Sequence, residues 1–489
     1  MPKFNWQIIF HRLHWVLGGI SIVLILPTSY SLLEDVNSAP AYLLPSAICL
    51  ILCFVLKRFH HGLGIFRLRE GIIFLILGYL ITISICAIPI WLIADVSLYE
   101  ALFESTSGLT TSGATIFEDV ESLAAHLQFW RAFIQSIGGL TIILLFLYVP
   151  PIMGVAGLQL SRQESLRIQS PGTQFGKQIW GIPQIIFKIF FLYVSLHILS
   201  SFWMVLGGLD LHDAICHSLG IWATAGFSNY NDGWAAFGTP FLEWGAIFFM
   251  FTAGTNILFV IRLQSQNWQN IHNESEWLWY LLFVSLLSVT CAVFLYYADN
   301  LLNFEESLRD GLFQTVSMIT NTGIQFESYL NWPVGAQAIL FLALFLGACT
   351  GSSSSGMRMQ QLVVMWKYLY SLSRRVLQPM AIIPLRINGK TVGEEVFQAI
   401  LGLFGAHLLV SLLGGFFLTI LSDLDIFSAW QMVLVFLWNL GTGFGLSHNP
   451  ALAATLPDVA KVLLMFLMLV GRLELFIVLL VCIPSFWKN

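Results

Sequence analysis

Apolar residues run along this chain in blocks far longer than the buried face of a soluble helix needs. Ten stretches, roughly 14–33, 40–57, 71–94, 126–152, 180–207, 238–262, 277–298, 333–372, 396–421 and 459–484, are nearly free of charge. About 20 apolar residues cross the hydrocarbon of a bilayer, so the pattern predicts an all-α polytopic membrane protein. The eighth stretch exceeds one crossing and is interrupted by Gly347-Ala348-Cys349-Thr350-Gly351-Ser352-Ser353-Ser354-Ser355-Gly356. The first follows only Lys3 and Arg12, with no small-residue cleavage site after it. It reads as a retained helix rather than a leader.

Between some of these blocks lie shorter, half-apolar segments that share a register. They close on Gly113, Gly226, Gly323 and Gly441, which are 113, 97 and 118 residues apart. Thirteen positions earlier stand Glu100, Asp213, Asp310 and Ser428, and the next residue is small each time: Ala101, Ala214, Gly311 and Ala429. Two before each glycine is a polar residue, Thr111, Thr224, Asn321 or Asn439. One such segment alone would be an ordinary polar loop. Four in a common register predict four helix–pore-loop–helix repeats arranged pseudosymmetrically around a central ion pore. The boundaries read as two leading helices in 1–66, then repeats over 67–160, 161–270, 271–385 (with a broken second helix) and 386–489.

Composition agrees: 57% of residues are hydrophobic and only 10% charged. Charge adds an orientation. With a cytoplasmic N-terminus, 18 of the 22 Lys and Arg fall on the inner side, leaving Arg309 outside and Arg131, Lys461 and Arg472 within or beside spans. This is the positive-inside bias; both termini and no glycine segment then lie inside. Twenty of the 27 acids fall outside, where an anionic vestibule draws cations. The seven cysteines form no CxxC pair, the 11 histidines have no metal-ligand spacing, and no phosphate loop, nucleophile motif or long basic stretch is present. The sequence therefore points away from enzymes and nucleic-acid binders.

Irregular backbone at membrane depth survives where protein or water surrounds it. A short helix entering partway places its negative C-terminal end inward. Glycine at the turn lets successive carbonyls face one side, and rings of carbonyls can replace the hydration shell of a monovalent cation. The predicted filter comprises Thr111, Ser112 and Gly113; Thr224, Ala225 and Gly226; Asn321, Thr322 and Gly323; and Asn439, Leu440 and Gly441. Acids Glu100, Asp213 and Asp310 suit the positive helix N-termini.

Two polar intrusions remain. An extra crossing at the serine-rich loop would reverse the charge bias downstream, so the loop is expected to stay inside the membrane. Arg472 lies in an apolar block, where a charge costs about 2.5 kcal/mol or more at the helix centre. Glu474, two positions on, lies on a different helix face. Gly347, Thr350, Gly351, Ser352, Ser353, Ser354, Ser355, Gly356 and Arg472 are therefore the candidate gate.

The stretch Ser107-Gly108-Leu109-Thr110-Thr111-Ser112-Gly113-Ala114-Thr115 resembles the first filter of TrkH-type potassium transporters, of the Trk/Ktr/HKT superfamily. Phe129-Trp130-Arg131, Gly138-Gly139, Ala223 to Ser228, Asn439-Leu440-Gly441-Thr442-Gly443, Arg69-Glu70-Gly71 and Gly471-Arg472-Leu473-Glu474 extend the resemblance along the chain. Departures are Thr320-Asn321-Thr322-Gly323-Ile324 in the third filter, Thr442 for a usual proline, and serines where relatives carry more glycines. The resemblance implies potassium uptake in a bacterial inner membrane, a homodimer in lipid, and a TrkA-type cytosolic regulatory subunit. It implies no covalent cofactor: potassium is the ion carried, and nucleotide (ATP/ADP or NAD) belongs only to the partner. A passive pore is the reading; the alternative is symport of potassium with protons or sodium.

Overall fold

The computed structural model describes residues 5–59, 68–148, 182–264, 274–298, 303–324, 329–378, 386–387, 390–391, 393–441 and 450–487. The sequence features Thr442, Gly443 and most of the inner segment 160–190 lie outside these.

The chain is a polytopic all-α membrane fold. It opens with α1 (Trp6–Val23), α2 (Ile25–Glu34) and α3 (Pro40–Lys57). Glu34, at the end of α2, accepts the N–H groups of Ala125 and His126 at 3.0 and 2.7 Å, capping α6 (Ala125–Tyr148). Near the other end of α1, Ile8, Ile9 and Leu13 pack with Ile72, Ile73, Ile477 and Phe486. The first and last helices of the chain therefore meet on one side.

The remaining helices recur in the order long, short, long. First helices are α4 (Leu68–Ala94), α7 (Ile182–Leu206), α11 (Ser275–Ala298) and α15 (Glu394–Leu421). Short helices are α5 (Leu98–Leu109), α8 (Leu211–Ala223), α12 (Phe304–Ile319) and α16 (Ile426–Leu437). The first helices and the leading pair turn Phe54, Phe187, Phe202, Leu286 and Phe416 outward. Apolar surface of that extent needs lipid to cover it.

Second helices behave differently. Among the described residues, seven helical spans are long and apolar enough to cross a membrane, and a bent pair counted as one span makes an eighth. Helix α6 is continuous. The run 238–262, expected as one crossing, is instead α9 (Pro240–Ala253) and α10 (Ile257–Gln264). The reason is local: the Gly254 carbonyl accepts the Cys349 N–H at 3.0 Å, and Asn256 Oδ1 accepts the Leu258 N–H at 2.9 Å, starting a new helix. The third second helix is split into α13 (Val334–Leu344) and α14 (Met359–Leu377) by the serine-rich loop. After α17 (Pro450–Thr455), the run 459–484, also expected as one crossing, is α18 (Asp458–Arg472) and α19 (Leu475–Cys482). These meet at 109°, and Glu474 between them has φ of 63°. A non-glycine residue in the left-handed region cannot continue a helix. The short α20 (Pro484–Trp487) follows, and β1 (Arg386–Ile387) pairs antiparallel with β2 (Lys390–Thr391).

Second helices also link the repeats. Helix α6 packs on α8, α9 on α12, and α18 on α5. Phe345, just past α13, meets Trp438, just past α16, at 4.9 Å between ring centroids. Each repeat thus supports the short helix of the next, and the fourth returns to the first.

Candidate functional site

The short helices start on side-chain caps. Ser97 and Glu100 form a reciprocal capping box on α5, with bonds of 3.3 and 2.9 Å. Asp210 accepts the His212 N–H on α8 at 3.2 Å, and Asp425 accepts the Ser428 N–H on α16 at 3.1 Å. Such caps satisfy N–H groups that have no intrahelical partner. Glu100 and Asp213 stand in first turns. Asp310 does not, which corrects its expected place. Helix α12 has 16 residues against 12 or 13 in the others, so Glu305 and Glu306 fill its first turn. Asp310 is buried a turn further in, beside Arg309, which is ion-paired to Glu243 and, at 2.6 Å, to Glu305.

The helix ends are alike to a degree the starts are not. In each segment, the N–H one before the glycine bonds a carbonyl five residues back: Ser112 to Ser107 at 2.9 Å, Ala225 to Gly220 at 3.0 Å, Thr322 to Ser317 at 3.0 Å and Leu440 to Val435 at 2.9 Å. The N–H two before it bonds three residues back, Thr111 to Gly108, Thr224 to Ile221, Asn321 to Met318 and Asn439 to Phe436, at 3.0 to 3.2 Å. This pair of bonds is the Schellman motif, whose left-handed residue is usually glycine. Here Thr111, Thr224, Asn321 and Asn439 occupy it, with φ of 57°, 50°, 56° and 55°. Asparagine tolerates that region, but β-branched threonine rarely enters it. Strain of this kind persists where surrounding structure enforces it.

The terminal glycines meet one another. A Cβ on Gly113 would strike the backbone of Gly226, and one on Gly226 would lie 3.0 Å from the carbonyl oxygens of Thr322 and Gly323. A Cβ on Gly441 would strike the Ser112 carbonyl. Asn321 Nδ2 donates to the Trp438 carbonyl at 3.0 Å, joining the third segment to the fourth. Gly113, Gly323 and Gly441 have φ of 80°, 68° and 61°, but Gly226 is not left-handed. Close approach, not a dihedral, is what excludes a side chain there.

The serine-rich loop lies directly against these helix ends. Thr350 and Ser352 to Ser355 are all buried. Ser353 Oγ donates to the Trp222 carbonyl at 2.9 Å, and Ser354 Oγ donates to Asn321 Oδ1 at 3.2 Å. Gly351 and Gly356 take left-handed φ of 83° and 76°, and a Cβ on Gly347 would strike the Met357 carbonyl. The Thr350 N–H donates to Glu276 at 2.5 Å. Arg472, 1% exposed, donates from Nη1 to the Ser353 carbonyl at 2.8 Å and Ser355 Oγ at 3.0 Å, and from Nη2 to the Gly138 carbonyl at 2.9 Å. One guanidinium from the fourth repeat thus ties the loop of the third to the continuous helix of the first. The Asn439 amide, with its oxygen accepting the Arg472 N–H at 3.2 Å and its nitrogen donating to the Met468 carbonyl at 3.2 Å, joins this junction to the fourth segment.

Three further interactions escape sequence reasoning. Arg131 Nε bonds Glu104 at 2.7 Å with both side chains buried. Lys461 Nζ reaches Glu100 at 3.1 Å, fastening α18 to α5. Asp213 accepts Asn229 Nδ2 at 2.9 Å and the Tyr230 hydroxyl at 2.6 Å, holding the chain that leaves the second segment. That bond to the carboxylate pushes the Tyr230 hydroxyl up to about 12. Unpaired-looking charges inside apolar blocks were the available signal; their partners lie in other helices.

Comparison with known proteins agrees with this architecture. Residues 44–488 match the family model described as TrkH, cation transport protein. Trk system potassium uptake protein TrkH of Escherichia coli K12 is 29% identical over 430 residues, which is 87% of either chain. The protein of that name from Vibrio parahaemolyticus is 29% identical over 454 residues, 90% of each. The crystal structure of the potassium transporter TrkH from Vibrio parahaemolyticus superposes with a TM-score of 0.88 at 25% identity, covering 99% of this chain and 100% of that one. With a match over most of its length and a fold shared almost throughout, this chain belongs to the TrkH family of cation transport proteins.

Proposed function

We propose that this chain is the pore-forming subunit of a Trk system, taking up potassium passively through a filter built from the four helix ends. The carrying observation is their common Schellman geometry, with Thr111, Thr224, Asn321 and Asn439 left-handed and the glycine strands in mutual contact. Backbone held this tightly can present carbonyls of Thr111 to Gly113, Thr224 to Gly226, Asn321 to Gly323 and Asn439 to Gly441 as rings. Such rings replace the hydration shell of an entering ion. The negative ends of α5, α8, α12 and α16 lie at the same place and favour a cation there.

Below the filter, the loop Gly347–Gly356 and Arg472 act as the gate. The loop narrows the path, and the guanidinium repels a cation in low-dielectric surroundings. Helix α14 leads directly from the loop to exposed Arg374 and half-buried Arg375. We take that basic face, with Arg386, as the dock for a cytosolic nucleotide-binding regulatory subunit of the TrkA type, and the assembly as a homodimer in the bacterial inner membrane. Both termini are then cytoplasmic; the packing of α1 against α19 and α20 supports a common side. The units are the leading pair and four repeats bounded near 66, 160, 270 and 385.

Purified protein in proteoliposomes tests the mechanism. A reversal potential that follows the potassium gradient alone is expected; one that moves with a proton or sodium gradient at fixed potassium would instead establish symport.

A further inference from the structure

The four short helices place different residues nine positions before their glycines: Glu104, His217, Gln314 and Met432. All are buried, and only the first is a carboxylate. Glu104 Oε1 accepts Arg131 Nε at 2.7 Å and the Thr115 hydroxyl at 3.0 Å; Oε2 accepts the Ile116 N–H at 3.1 Å. Arg131 Nη2 reaches Thr115 Oγ1 at 3.0 Å, and the guanidinium lies 4.3 Å above the Phe227 ring. Thr115 and Ile116 continue the strand from Gly113, and Phe227 follows Gly226. The cluster therefore fixes the exit of the first strand and touches the exit of the second.

Resting on the filter reading above, we infer that Glu104 and Arg131 are positioning residues for selectivity: a buried charged brace, at a position where the other three short helices carry no carboxylate, that holds the strands of Gly113 and Gly226 at the spacing that favours potassium over sodium. Charge-assisted hydrogen bonds are roughly twice as strong as neutral ones. In an apolar interior they hold backbone in place without contacting the ion. A buried pair contributes little net stability against an apolar substitute, whereas geometric specificity is one attested use for it. Stability alone would be served as well by the apolar choice that repeat four makes with Met432.

The experiment compares potassium-to-sodium permeability ratios from bi-ionic reversal potentials with melting temperatures in detergent. Thr115→Val keeps shape and removes only the hydroxyl at the centre of the cluster. It is expected to fold and to lower the ratio about tenfold or more, because it removes the hydrogen bonds to Glu104 and from Arg131 and a single bond to a charged group is worth about tenfold. Arg131→Lys keeps the charge but not the fork and should lower the ratio less. Glu104→Gln and Arg131→Gln leave one charge buried and should melt early. The double variant should regain stability without regaining selectivity. If Thr115→Val and Arg131→Lys keep the wild-type ratio while Gly113→Ser alters it, the brace is merely structural. If wild type itself shows no preference for potassium, the filter reading falls first and the brace goes with it.

Discussion

The short helices and the second helices of this protein have followed opposite courses. At the four helix ends, bonds, dihedrals and neighbours recur nearly unchanged. The second helices share almost nothing: α6 is continuous, α9 and α10 part at Gly254–Asn256, a buried loop divides α13 from α14, and α18 meets α19 at 109°. Carbonyl geometry that must serve one ion from every side tolerates little variation. Elements that open and close a path need only one or two bistable members, so the others are free to differ. On the proposed reading, the uniform region is where selectivity is built, and the divergent region is where control is built.

Substitution at the glycines attacks the uniform side most directly. Gly441→Ser drives a side chain into the Ser112 carbonyl and Gly113→Ser one into Gly226. Either should cut the potassium-to-sodium permeability ratio by about tenfold or more, since a shift in one carbonyl quadrant acts on the bound ion itself. Retention of the wild-type ratio in well-folded protein would sink the filter assignment. On the divergent side, Arg472→Ala removes three hydrogen bonds and a buried charge beside the serine-rich loop. Basal potassium flux without any partner should rise several-fold while the ratio stays unchanged, because hydrogen bonds to a charged group contribute about 1.5–3 kcal/mol each. A variant that folds and conducts no more than wild type places the gate elsewhere.

Smaller effects sharpen the contrast. Thr111→Gly should relieve a left-handed β-branched residue and raise stability by about 1 kcal/mol or less, read as a melting temperature a few degrees higher. Should it melt earlier, the threonine side chain contributes more than its backbone costs. Ser97→Ala removes half of a capping box and should cost about 1 kcal/mol, with no change in selectivity, as thermal unfolding and flux together would report.

Much of this was legible in the sequence because the repeat is written in residue types: a small residue, a polar one and a glycine at fixed offsets. The left-handed backbone accounts for asparagine at that position in the third and fourth segments, since its side chain suits the region; Thr111 and Thr224 hold it against their β-branching. The long apolar blocks located the first helices almost to the residue. Hydropathy could not show that two blocks break, because a three-residue interruption such as Gly254-Thr255-Asn256 barely changes a window average. Asp310 was misplaced because the third helix starts a turn early, at an Asn303…Glu306 capping pair that the shared register obscured. The Glu104–Arg131 pair joins two helices across 27 residues, and only a structure can bring its members together.

Among the joins that return the fourth repeat to the first are Lys461 to Glu100, Gly441 against Ser112 and Arg472 to Gly138. The two charged ones span 361 and 334 residues of chain. Synthesis runs from the N-terminus, so the first repeat must reside in the membrane with an open flank until the last segment emerges. Closure of the circle is therefore the final event of biogenesis, and lesions near the C-terminus strike the first repeat as hard as the last.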